Sequence, residues 1–66
     1  MSVRFDTWLE AREYAIVRAN ALHLPHGIEY VKEYGKPGYN VKLIAPKGKR
    51  YGYELRIEVV EPGDLI

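Results

Sequence analysis

The chain has no cysteine and no glutamine, and its only aliphatic hydroxyls are Ser2 and Thr7. The lack of thiols rules out disulfides, thiolate zinc sites and a cysteine nucleophile. A serine or threonine nucleophile would have to come from near the N-terminus or from a helix-cap position. No stretch approaches the roughly 20 apolar residues that a membrane-spanning helix needs. Met1 to Asp6 lack the pattern of a signal peptide, so the expectation is a cytoplasmic protein with no membrane partner. Charge of one sign is also missing: ten Lys and Arg stand against nine Asp and Glu, a net charge of +1. Such a balance gives little long-range steering towards nucleic acid, though a local basic patch can still act.

What is present is apolar and aromatic. Of the 66 residues 47% are hydrophobic, with six Tyr, one Trp and one Phe. That composition predicts a folded domain over 1–66 rather than a disordered segment. A chain of this length buries only about 60% of the surface its unfolded form exposes, so the core should be thin and stability should come from packing or association.

Asp6 and Thr7 are good N-cap residues, and Thr7 with Glu10 has the spacing of a capping box. The spacing predicts a helix from Trp8 to Leu22, ending near His23 because Pro25 disfavours helical geometry at Leu24 and Gly27 follows. Trp8, Ala11, Ala15, Ala19 and Leu22 fall on one stripe flanked by Leu9 and Ile16, which marks the core face. Its three alanines would let a sheet approach closely, with Trp8 and Leu22 filling the ends.

Ile28 to Tyr34 reads as a strand, and Lys32 on its apolar side suggests a sheet edge. Gly35, Lys36, Pro37 and Gly38 suggest a tight turn. Then Tyr39, Val41, Leu43 and Ala45 alternate with Asn40, Lys42 and Ile44. After a turn at 46–52, Tyr53, Leu55, Ile57 and Val59 alternate with Glu54, Arg56, Glu58 and Val60. Period-two alternation on both sides of a turn predicts a β-hairpin with Leu55, Ile57 and Val59 inward. The expected fold is therefore α+β: one N-terminal helix on one face of a three-stranded antiparallel meander, α-β-β-β. A short extra N-terminal strand could form from Ser2 to Phe5.

Two kinds of binding surface stand out, and no catalytic or cofactor site does. His23 and His26 flank Leu24 and Pro25, but the proline breaks regular spacing and no third ligand is obvious, so no metal site is expected. Tyr14, Val17 and Ala21 form a second apolar stripe on the helix that a monomer does not need. Val31, Ile44 and Val60 would form an apolar island on the open sheet face, ringed by charge as an interface core is ringed by its rim. The tyrosines Tyr30, Tyr34, Tyr39 and Tyr53 either line the margin of the core or make a patch at the sheet's end that anchors a partner. The leading expectation is a non-enzymatic protein-binding or regulatory module whose partner is another protein or a second copy of itself. The competing one is nucleic-acid binding through the basic loop 46–52. Lys47, Lys49, Arg50 and Tyr51 would there touch phosphate and stack on bases, and Lys36 would extend the patch.

Overall fold

A computed structural model describes residues 3–45 and 57–64. The chain runs β1 (Val3–Phe5), α1 (Trp8–Leu22), β2 (His26–Glu33), β3 (Lys36–Leu43) and β4 (Glu58–Val60). One helix covers one face of an antiparallel sheet of strand order β1-β3-β2-β4. The architecture is α+β, and the extra N-terminal strand is present as β1. No helix among the described residues is long and apolar enough to cross a membrane.

The helix forms where the spacing predicts it. Thr7 Oγ1 accepts from the Glu10 backbone N–H at 3.3 Å and donates to the Glu10 carboxylate at 2.8 Å. At the other end His23 closes the helix in the left-handed region, with φ of 55°. Ala11, Ala15 and Ala19 are fully buried, and with Ile16 they pack on Ile28, Val41 and Val60. Methyl groups along the contact line let the helix sit close to the sheet. Each of the larger aliphatics contributes roughly 1.5–3 kcal/mol on leaving water. Trp8 and Leu22 do not fill the ends of this core: they are 42% and 40% exposed. The Trp8 indole N–H instead donates to Glu58 Oε1 at 2.8 Å, with the Arg12 guanidinium 5.8 Å from its ring centre.

The turn between β2 and β3 is not centred on Pro37. It is a two-residue turn in which Tyr34 and Gly35 both take positive φ, 50° and 79°. This type I′ geometry matches the right-handed twist of the flanking strands, whereas a type I or II turn around Pro37 would splay them. Pro37 and Gly38 lie in β3, paired with Lys32 and Val31. In a two-residue hairpin the residues beside the turn, Glu33 and Lys36, exchange hydrogen bonds. The missing N–H of Pro37 therefore points away from β2 and breaks no bond to it.

The last strand differs most from expectation. Among the described residues β4 pairs with β2 rather than β3, in the register His26↔Val60, Gly27↔Val59 and Ile28↔Glu58. One side of β3 is taken by β2 and the other by β1, so the expected β3–β4 hairpin does not form and β2 is an interior strand. The register also reverses the parity of this segment. Val60 and Glu58 share the helix-facing side with Ile28, while Ile57 and Val59 face away. The residues Tyr53, Glu54, Leu55 and Arg56 lie outside the described ones.

Beyond β4, Asn20 holds the turn at Gly63 and Asp64 on the helix. Its Oδ1 accepts from Gly63 N at 2.6 Å and its Nδ2 donates to the Asp64 carbonyl at 3.3 Å.

Gly27 tests the reversed parity. A Cβ there would stand 2.8 Å from Ile57 Cδ1 and 3.0 Å from Ile44 Cγ2. Gly27→Ala should destabilise by about 1 kcal/mol through overpacking. With Ile57 under the helix the same Cβ would meet Ile44 alone, and the removal of a strand glycine would offset that contact and leave the change close to neutral. The size of the shift in chemical denaturation decides.

Candidate protein-binding surface

Asp6 and Thr7 turn the chain from the end of β1 into the helix, whose first residue Trp8 bonds to Glu58 and whose Asn20 meets the turn after β4, so that it runs away from the hairpin tip. The sheet end beyond the helix is therefore left uncovered. It carries Tyr30, 56% exposed, whose ring lies 5.4 Å from that of half-buried Tyr39 at a tilt of 58°. At the tip, Tyr34 is fully exposed, at 101%. Lys32, Lys36 and Pro37 are exposed beside it. The tyrosines thus lie partly at the core margin, as Tyr39 does, and partly in open water. Tyr53 lies outside the described residues.

Tyr34 joins two unfavourable features. A non-glycine residue in the left-handed region costs about 1 kcal/mol or more, and a fully exposed aromatic ring makes no compensating contact within the fold. Asn or Gly would serve the turn better.

The open face of the sheet has a different character. Arg4 lies flat across Gly38, whose lack of a side chain makes room for the guanidinium. Arg4 Nη2 donates to the carbonyls of Lys36 at 3.3 Å and Val31 at 3.5 Å, and Nη1 is 3.9 Å from the Glu33 carboxylate. Lys42 and Glu29 pair at 3.4 Å. Sequence reasoning missed Arg4; the only signal for it was the glycine at position 38. Glu58 is not on this face at all. It sits on the helix side, with its carboxylate 3.9 Å from Arg12.

The apolar island expected here is not assembled. Val60 is 2% exposed within the core, because its strand pairs with β2 in the reversed register. Ile44 faces outward but is only 8% exposed, lying with Ile57 over Gly27. Val31 is half-buried beside Arg4. Of the helix stripe, Tyr14 turns to Phe5, with ring centres 5.1 Å apart, while Val17 and Ala21 remain exposed. Of the basic set, Lys36 is exposed next to Tyr34, and Lys47, Lys49, Arg50 and Tyr51 lie outside the described residues.

His23 caps the helix, and buried His26 bonds through Nδ1 to the Leu24 carbonyl at 2.9 Å. Among the described residues no group of three or more His, Cys, Asp or Glu could hold a metal ion. No known protein family, curated protein or solved structure matches the chain.

Replacing Tyr34 by Asn removes no internal contact and relaxes the turn. The Tyr34→Asn protein should be more stable by about 0.5–1 kcal/mol. A rise in the urea midpoint with an unchanged slope checks it, and a fall would mean that Tyr34 is not in the turn.

Proposed function

We propose that the protein is a non-enzymatic binding module that docks another protein through the hairpin end of its sheet, with Tyr34 as the anchor and Tyr30, Tyr39 and Pro37 around it. The carrying observation is the fully exposed Tyr34 ring held at positive φ. A residue that weakens the free fold and exposes apolar area to water finds its compensation in a bound state. Tyrosine is suited to this, because a rigid amphipathic ring buries large area at low entropic cost and so is enriched among interface anchors. Lys32 and Lys36 beside it supply the polar rim and favour a partner with carboxylates around its pocket. One hairpin end is a small surface, which points to a weak or transient complex rather than an obligate one.

The test uses the substitution that separates fold from binding. Wild-type protein, Tyr34→Asn and Tyr34→Phe are immobilised and exposed to an extract of the source cells. Retained proteins are then identified and their affinities measured. The expected result is a partner held by wild type and by Tyr34→Phe but weakened by about tenfold or more with the more stable Tyr34→Asn protein. Equal retention on all three surfaces would contradict the proposal.

A further inference from the structure

Away from the hairpin tip, Tyr14 and Arg18 on the middle turns of the helix line, with the ends of β1 and β3, a groove of about 190 Å³. Its apolar walls are Val3, Val41 and Leu43, and it is also lined by His26 and by Lys42, whose ammonium is paired with Glu29. Val3 and Leu43 are 40% and 51% exposed, so the groove is open apolar surface rather than filled core. Three of the polar residues that line it keep a group with no partner among the described residues. The Arg18 guanidinium has no carboxylate, and the Tyr14 hydroxyl no hydrogen bond, among the described residues. His26 is 4% exposed, and its bond to the Leu24 carbonyl fixes the tautomer. A carbonyl only accepts, so Nδ1 carries the proton, and in the neutral ring Nε2 presents a lone pair. Nothing among the described residues donates to it. A buried acceptor left unmet costs about 1–3 kcal/mol, and such groups in folded proteins are normally satisfied.

We propose that this groove binds a small carboxylate with an apolar body and a hydroxyl beside the carboxyl group. The carboxylate pairs with Arg18 and accepts from the Tyr14 hydroxyl. The ligand hydroxyl donates to His26 Nε2, and the hydrocarbon part covers Val3, Val41 and Leu43. An apolar cavity of about 150 Å³ holds a benzene ring, so the groove suits an acid of that size and not a drug-sized molecule. This site is separate from the hairpin surface and stands or falls independently of it.

Amide chemical shifts report binding. Mandelate carries all three elements, phenylacetate lacks the hydroxyl and 1-phenylethane-1,2-diol lacks the carboxylate. Mandelate should give saturable shifts centred on Val3, Val41 and Leu43, with phenylacetate several-fold weaker and the diol about tenfold weaker or more. Arg18→Gln, at an exposed position, should remove the preference for mandelate over the diol, while Lys32→Gln at the far end should leave the titration unchanged. Mandelate without saturation, mandelate no tighter than either analogue, or an unchanged mandelate affinity in Arg18→Gln would each overturn the proposal.

Discussion

Two residues join the longest strands of the sheet, and the geometry of that junction governs the rest. With only Tyr34 and Gly35 between them, β2 and β3 must pair Glu33 with Lys36, and every later pair follows down to His26 and Leu43. That ladder sets Ile28 beside Val41 under the alanine row of the helix. It sets Gly38 on the opposite face, where Arg4 can lie across it. The outer strands then add to a frame already fixed. β1 covers three residues of β3 and β4 three of β2, short edges that give little template for unwanted pairing.

The cost of the junction falls on Tyr34. Left-handed backbone is cheap for Gly35 and dear for a tyrosine, and the ring gains nothing from the fold in return. Elsewhere the molecule resolves its conflicts internally. Arg4 is seated on Gly38 and backbone carbonyls, Glu58 holds both Trp8 and Arg12, and Asn20 ties down the turn after β4. Tyr34 and the Nε2 of His26 have no such resolution among the described residues. They lie at opposite ends of the sheet, and each is the starting point of one of the two proposals.

Local signals in the sequence were legible where a few neighbouring residues decide the outcome. Thr7 with Glu10 marks the helix start, the Ala11, Ala15 and Ala19 spacing marks its buried face, and alternation around Ile28 and Val41 marks the helix-facing side of two strands. What was not legible was set by partners distant in sequence. Alternation in 53–60 is ambiguous because Val59 and Val60 are adjacent and equally apolar. Only the register against β2 decides that Val60 goes under the helix and Val59 does not. Pro37 and Gly38 have turn chemistry of their own, and the twist-matched turn at Tyr34 and Gly35 overrides it. The candidate surface shifted for the same reasons: Val60 and Ile44 were lost to packing, and the tyrosine end was left open.

The hairpin register can be read directly from short Hα–Hα contacts in a nuclear Overhauser spectrum. Non-hydrogen-bonded antiparallel pairs bring their Cα atoms to about 4.5 Å. With Tyr34 and Gly35 in the turn, those contacts join Tyr30 to Tyr39 and Ile28 to Val41. Contacts joining Tyr30 to Leu43 and Tyr34 to Tyr39 would instead centre the turn on Lys36 and Pro37, return Tyr34 to the strand and contradict the account.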